Sequence, residues 1–211
     1  MRDDVAVAAR RLADEGLLVG TAGNVSVRDG DRVAVTGTGV VLGRCTPDDV
    51  TIVSTSGEVL EGALVPTSEL DLHLGVYAAT GTGAVVHTHA PYSTAVACVL
   101  AELPVLHYQQ LTLGGAVRVA PYATFGTPEL ARHVVAALDG RQAALMSNHG
   151  SVALGDTLDR AVEHALLLEW LARLHVHAST LGTPRVLTDE QQADVITQAL
   201  ARNYGTPQEN P

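Results

Sequence analysis

The chain has 211 residues, 46% of them hydrophobic, and a formal net charge of -10 from 13 basic and 23 acidic residues. This length and apolar content can bury one sizeable core and predict a single domain over residues 1–211. The acidic balance repels phosphate backbones and argues against a nucleic-acid partner. Two cysteines without C-x-x-C spacing exclude a disulfide framework and favour a reducing compartment.

No segment of the sequence predicts membrane attachment. The longest wholly apolar stretch, residues 95–101, is much shorter than the roughly 18 residues that a membrane-spanning helix needs. The N-terminus leads directly into an amphipathic segment, so no signal peptide is visible. We therefore expect a cytoplasmic protein without a membrane partner.

The first part of the chain predicts a helix followed by an antiparallel meander. Apolar residues at helical spacing precede Gly16: Val5, Ala8, Ala9 and Leu12. Strands are predicted at residues 24–28 and 32–36 around an Asp-Gly turn, and residues 51–54 are expected to pair with residues 58–60. A short helical turn is predicted to follow Thr46.

The rest of the chain alternates helical and strand patterns. A second helix from Ser68 ends before Gly81, with an apolar face at Leu70, Leu74, Tyr77 and Ala78. Further helices are predicted at 92–100, from Thr127, along an apolar stripe from Leu158 to Trp170, and after Thr188. Further strands are predicted at 83–87, 117–120, 143–147 and 151–154. Strands mixed with flanking helices predict one layered α/β domain.

Two histidines at the end of a buried strand predict a metal site. His87 and His89 are separated by one residue, and alternate strand residues point to the same side, so both rings can bind one ion. A catalytic zinc needs three protein ligands and one open position, and His149 before Gly150 is the best third ligand. The alternative is a surface pair without a ligand. Four histidines in helical segments are interpreted as structural: His133, His164, His175 and His177.

Glu69 begins the second predicted helix, where the helix N-terminus stabilises an acidic side chain. Beside a metal it would ligate the ion or act as a base. The alternative is an acid that only starts the helix. His73 lies four residues later on the same face, where we expect packing, with support of the site as the alternative.

Three short segments are rich in glycine and hydroxyl side chains and contain no basic residue: 20–24, 36–39 and 67–68. Each alone is typical of a turn. Together they can bind a phosphate through backbone N–H groups, which suits an acidic chain.

Five motifs occur in a fixed order: Gly20–Ser26, Pro66–Glu69, His87–Ala90, Ala120–Thr127 and Asn148–Gly150. With them the chain resembles the class II sugar-phosphate aldolase and adducin family, from about residue 5 to Tyr204. The resemblance implies a central, mainly antiparallel sheet flanked by helices. It also implies a homotetramer with active sites at subunit interfaces.

The resemblance assigns roles to individual residues. It implies one Zn²⁺ per subunit on His87, His89 and His149, with Glu69 as fourth ligand at rest and as acid/base during turnover. Substrate phosphate contacts fall on Thr21, Gly23, Asn24, Thr38, Gly39, Thr67 and Ser68. Tyr108 is expected from the adjacent subunit to handle the aldehyde oxygen, and Phe125 and Tyr204 to line the aldehyde pocket.

The implied reaction is cleavage of a ketose 1-phosphate, L-fuculose 1-phosphate or a close relative, through a metal-stabilised enediolate. The products would be dihydroxyacetone phosphate and an aldehyde such as L-lactaldehyde. The sequence contains no lysine, which excludes a Schiff-base aldolase. Three alternatives on the same scaffold remain: a ribulose-phosphate 4-epimerase, in which Asp typically replaces Glu69, a methylthioribulose-phosphate dehydratase, and a non-catalytic adducin-like module without the metal ligands.

Overall fold

The alternating apolar segments form a nine-stranded sheet in the computed structural model, which describes residues 1–202. The strands are β1 (Asn24–Asp29), β2 (Arg32–Thr36), β3 (Val50–Ser54), β4 (Val59–Glu61), β5 (Ala84–Thr88), β6 (Glu102–Leu103), β7 (Val117–Ala120), β8 (Ala143–Met146) and β9 (Gly150–Gly155). Their order across the sheet is β4-β3-β2-β1-β5-β9-β8-β7-β6. Only β7 and β8 pair in parallel, so the predicted mainly antiparallel sheet is confirmed.

The described residues also form six helices. They are α1 (Arg2–Asp14), α2 (Leu70–Thr80), α3 (Pro91–Ala97), α4 (Pro128–Ala137), α5 (Leu158–Leu181) and α6 (Asp189–Ala201), with short 3-10 helices at Leu42–Arg44, Pro47–Asp49 and Tyr108–Leu113. No helix in this part of the chain is both long and apolar enough to cross a membrane. The predicted single layered α/β domain is confirmed, and its extent to residue 211 stays a prediction.

Helices pack on both faces of the sheet, and because successive strand side chains point to opposite faces, the central strand contributes to two cores. Val86 packs in a core with residues of α1, α3 and α5. Val85, its neighbour on β5, packs in a second core with residues of α2 and α4. His87, the penultimate residue of this central strand, has a fully buried side chain.

Two predicted helix faces are wrong in part. Helix α2 exposes Ala78 and buries His73 beside Tyr77, because both polar side chains form hydrogen bonds with Ser26 of β1. In α5, Trp170 is 43% exposed instead of completing the apolar stripe, since the buried face there includes Glu169. The Glu169 carboxylate accepts hydrogen bonds from the first backbone N–H groups of α3.

Candidate active site

Three histidine rings converge where β5, its following residue and the β8–β9 turn meet. His87 is the penultimate residue of β5, His89 follows that strand, and His149 lies just before β9. One ring nitrogen of each histidine lies within 4.8 Å of the other two. The Nε2 atoms of His87 and His89 are 2.9 Å apart. Such close nitrogen atoms are the arrangement that a tetrahedral metal site requires.

The neighbouring backbone orients the first of these rings. Nδ1 of His87 lies 2.9 Å from the carbonyl oxygen of Ser151. Because a carbonyl oxygen only accepts, Nδ1 carries a proton and donates the hydrogen bond. The lone pair of Nε2 then faces the other histidines. Metal-ligating histidines usually donate their other ring N–H to a backbone carbonyl or a carboxylate in this way.

The turn that carries His149 depends on two unusual backbone positions. Asn148 adopts a left-handed conformation with φ 54°, which asparagine tolerates better than most residues. At Gly150, a Cβ atom would lie 2.3 Å from the carbonyl oxygen of Thr88. The turn can therefore approach β5 closely only because residue 150 has no side chain.

The buried carboxylate of Glu69 faces the histidines from the start of α2. Oε2 lies 3.1 Å from Nε2 of His87 and accepts a hydrogen bond of 2.9 Å from Asn24 Nδ2. Oε1 lies 3.5 Å from Nε2 of His149 and has no hydrogen-bond partner among the described residues. A buried carboxylate oxygen without a partner is costly, and a cation held by the histidines would satisfy it. The donor set therefore fits a metal.

Burial and mutual contact shift the pKa values of these groups. Burial raises the pKa of Glu69, but the facing His87 and the Asn24 amide outweigh it, and the pKa lies below its ordinary value. Burial and the neighbouring histidines lower the pKa of His89 to about 4, and burial also lowers the pKa of His149. Burial lowers the pKa of His87, but the facing Glu69 carboxylate outweighs burial and raises that pKa above its ordinary value. A metal ion would therefore displace any extra proton from His87, because it binds an ionised carboxylate and neutral imidazoles.

A cavity of about 760 Å³ opens beside these residues. Glu69, His89 and His149 line it, as does Phe125. All seven residues predicted as phosphate contacts line the same cavity: Thr21, Gly23, Asn24, Thr38, Gly39, Thr67 and Ser68. No arginine lines it within the described part of the chain. An anion there would be held by backbone N–H groups and hydroxyls.

The backbone brings the three glycine and hydroxyl segments together. Thr38 donates its backbone N–H to Val65, and Thr67 donates its own to Thr36, so the segments around residues 38 and 67 lie side by side. Gly23 has φ 95°, and a Cβ atom there would lie 2.9 Å from the carbonyl oxygen of His87. Only glycine allows the first segment to come this close to the metal-binding strand.

Tyr108, another predicted site residue, does not line this cavity. Tyr108 is 41% exposed and lines a separate groove between its own 3-10 helix and α6. Tyr204 lies outside the described residues. The sequence interpretation also missed Tyr122, which lines the cavity and is 63% exposed. Its position inside the motif Ala120–Thr127 was the available signal.

The family model described as Class II Aldolase and Adducin N-terminal domain matches residues 3–176. The chain belongs to this family. It is 38% identical over 207 residues to the 5-methylthioribulose-1-phosphate/5-deoxyribulose-1-phosphate aldolase of Rhodospirillum rubrum, covering 97% of this chain and 92% of that protein. It is 40% identical over 193 residues to the L-fuculose phosphate aldolase of Escherichia coli, covering 90% and 88%.

A solved structure of an L-fuculose 1-phosphate aldolase superposes with a TM-score of 0.88 at 33% identity, covering 93% of this chain and 94% of that one. The predicted family and fold are therefore confirmed, and so is the prediction of a lyase enzyme. Enzymes of this family depend on a metal, for which the histidine triad offers a site.

Proposed function

We propose that the protein is a metal-dependent aldolase that cleaves a ketose 1-phosphate to dihydroxyacetone phosphate and an aldehyde. One observation carries the proposal. The Glu69 carboxylate, whose Oε1 has no hydrogen-bond partner in the described residues, faces His87 and His149 beside the cavity that the phosphate-binding segments also line. A cation, an acid/base group and an anion site thus meet around one space.

The proposed ion is Zn²⁺, one per subunit, held by His87, His89 and His149 with Glu69 as the fourth ligand at rest. Three imidazoles and a carboxylate are a ligand set that zinc accepts in a tetrahedral site. When bound, zinc would act as a Lewis acid that stabilises negative charge on the substrate's oxygen atoms.

The phosphate of the substrate would bind to the glycine and hydroxyl segments. Thr21, Gly23 and Asn24 supply one set of contacts, and Thr38, Gly39, Thr67 and Ser68 supply the others. Because no arginine lines the cavity in the described residues, the anion would be held by local dipoles rather than by a positive side chain. This arrangement suits a chain of net charge -10.

Proton transfer is assigned to Glu69 and Tyr108. In the cleavage direction, the hydroxyl next to the bond to be broken loses its proton to Tyr108, acting as a phenolate, as that carbon becomes the aldehyde. The electrons of the carbon–carbon bond pass to the neighbouring carbon to give the enediolate. Glu69, which first takes up a proton from solvent, then supplies it to that carbon to yield dihydroxyacetone phosphate, and Tyr108 returns its own proton to solvent, so that the protons balance.

We propose a cytoplasmic homotetramer whose active sites combine residues of adjacent subunits. The position of Tyr108 supports this arrangement, because its side chain does not line the cavity of its own chain. A neighbouring subunit would deliver it to the site. The C-terminal Tyr204 is proposed, with Phe125, to line the aldehyde pocket.

The preferred substrates are proposed to be deoxy sugars, L-fuculose 1-phosphate or a 5-deoxypentulose 1-phosphate. The lining residues Val19, Tyr122 and Phe125 are each more than 60% exposed and offer apolar surface to the far end of a substrate. A terminal methyl group would contact such a surface without leaving a hydroxyl unsatisfied. Relatives named for fuculose phosphate and for deoxyribulose and methylthioribulose phosphates support this class.

Release of dihydroxyacetone phosphate from each candidate tests the proposal. The zinc-loaded protein is given L-fuculose 1-phosphate, 5-deoxyribulose 1-phosphate and 5-methylthioribulose 1-phosphate, and kcat/KM is measured for each. We expect release from at least one of them. Ribulose 1-phosphate, which has a terminal hydroxyl where 5-deoxyribulose 1-phosphate has a hydrogen, should give a lower kcat/KM. Loss of water from methylthioribulose 1-phosphate, or epimerisation of ribulose 5-phosphate, without any release would favour the dehydratase or the epimerase instead.

A further inference from the structure

A chain of buried polar side chains extends from Glu69 away from the cavity. Asn24 Nδ2 lies 2.9 Å from Glu69 Oε2, and Asn24 Oδ1 lies 2.5 Å from Nε2 of His73. Nδ1 of His73 lies 2.6 Å from Oγ of Ser26, which lies 2.7 Å from the hydroxyl of Tyr77. Each of the five side chains is at most 5% exposed. We name these five residues the Glu69 relay.

The chemistry of the groups determines the direction of every hydrogen bond in the relay. An ionised carboxylate only accepts, so Asn24 must present its amide nitrogen to Glu69 and its oxygen to His73. His73 must then carry its proton on Nε2, which leaves Nδ1 as an acceptor. Ser26 donates to that nitrogen and accepts from Tyr77. Reversing any one of these bonds would leave a buried donor or acceptor unpaired.

Two secondary-structure elements supply the relay in alternation. Glu69, His73 and Tyr77 are spaced four residues apart and share one face at the start and along the first turns of α2. Asn24 and Ser26 are alternate residues on one face of β1. Asn24 also pairs in register with His87 on β5. The relay therefore ties the start of α2 to the strand beside the metal-binding strand.

We propose that His73 is a positioning residue, whose Nε2–H holds Asn24 in the one amide orientation that donates to Glu69. The carboxylate then keeps one oxygen fixed and the other directed at the cation site. Burial lowers the pKa of His73 to about 3, in accord with a neutral ring. The inference rests on the proposed function only for the reaction that serves as one of its readouts.

A matched pair of variants separates this role from simple packing. In His73→Gln the amide nitrogen can reach the place of Nε2 and donate to Asn24. In His73→Asn the shorter amide matches Nδ1, keeps the contact with Ser26 and loses the donor to Asn24. Both variants remove the ring and replace it with a neutral amide. Tyr77→Phe is the control at the far end, because Ser26 can still donate to His73 without it.

The relay predicts different kinetics for the two amides. We expect His73→Asn to lower kcat by about 10- to 100-fold with little change in KM. Losses of activity of this size are usual when a hydrogen-bond partner that orients a metal ligand is removed. His73→Gln should retain most of the kcat, and Tyr77→Phe should lower the Tm without lowering kcat. Equal losses of kcat in the Gln and Asn variants, at equal Tm, would overturn the positioning role.

Two further readouts need no aldolase activity. Long-range ¹H–¹⁵N spectra of the zinc-loaded protein, with the His73 signals assigned by their loss in His73→Gln, should show a neutral Nε2–H ring. Zinc affinity, measured by competition with a chelator, should fall in His73→Asn and not in His73→Gln. An Nδ1–H ring, or equal zinc affinity in both variants, would contradict the inference even if the protein cleaved no ketose phosphate. Absence of cleavage with both readouts as expected would count against the proposed function alone.

Discussion

Oε2 of Glu69 is held between Asn24 Nδ2 at 2.9 Å and His87 Nε2 at 3.1 Å, whereas Oε1 accepts no hydrogen bond in the described part of the molecule. The two oxygens of one carboxylate therefore have different surroundings. One is fixed by the fold, and the other is available to a cation or to a proton in transfer. This asymmetry suits a group that ligates a metal at rest and serves as an acid/base during turnover.

Replacing Glu69 by Gln should separate metal binding from turnover. The amide keeps the size of the side chain and the three histidines, so we expect the variant to retain zinc. It can neither accept nor supply the proton, so kcat should fall by about 10²- to 10⁴-fold, the usual contribution of a general acid/base. Zinc content by elemental analysis and dihydroxyacetone phosphate release are the two measurements. Near wild-type kcat would exclude Glu69 from proton transfer.

Removing one proposed ligand should remove the metal. His149→Ala leaves only two imidazoles facing Glu69, and we expect the purified variant to contain substoichiometric zinc. His177→Ala is the matched control, because this histidine is exposed on α5 and outside the cluster. The His177→Ala control should keep one zinc ion per subunit. Stoichiometric zinc in His149→Ala would refute its assignment as a ligand.

Two glycine-to-alanine changes should shift stability in opposite directions. At Gly150 the new Cβ would lie 2.3 Å from a backbone oxygen of β5, so we expect a loss of about 1–3 kcal/mol, typical of overpacking. At Gly75, inside α2, the nearest atom would lie at 3.8 Å, and the higher helix propensity of alanine should add about 0.5–1 kcal/mol. Urea unfolding of the metal-free proteins measures both. A neutral Gly150→Ala would mean that the His149 turn is not packed tightly against β5.

Two inactive variants should complement each other if Tyr108 acts across a subunit interface. Tyr108→Phe and Glu69→Gln are co-expressed with different tags, and mixed oligomers are purified through both tags. In a random mixture, about a quarter of sites would combine an intact Glu69 with an intact Tyr108 from the neighbour. The mixed oligomers should regain activity in that proportion. Activity no higher than that of the separate variants would place Tyr108 within its own subunit's site or outside catalysis.

Much of the fold could be predicted because its signals are local. Alternating apolar residues in β1 and β2 and the capping box at Thr188 and Gln191 identify their elements without any knowledge of the partners. The strand β6 was missed because its two residues are too few to show an alternating pattern, and it is defined in the described residues by its pairing with β7. The buried face of α2 was predicted wrongly in part because its hydrogen bonds with Ser26 depend on tertiary contact.

The candidate site also combines features that local sequence signals predict with features that depend on tertiary contacts. The proximity of His87 and His89 follows from strand alternation, but the approach of His149 depends on the β5–β9 pairing. Asn24 was expected to contact phosphate, and its side chain also joins Glu69 to His73, a contact between positions 45 and 49 residues apart in sequence. Such pairings arise only when the sheet and α2 are assembled. The surroundings of Tyr108 in an oligomer lie beyond what one chain contains.

The most direct test is metal-dependent cleavage by the purified protein. Release of dihydroxyacetone phosphate from L-fuculose 1-phosphate and from 5-deoxyribulose 1-phosphate is followed before chelation, after removal of the metal, and after zinc is added back. We predict release that falls to background with the chelator and returns in proportion to zinc, reaching its maximum at one ion per subunit. Release that continues in fully metal-free protein, or none from either ketose at stoichiometric zinc, would contradict a zinc-dependent aldolase for this substrate class.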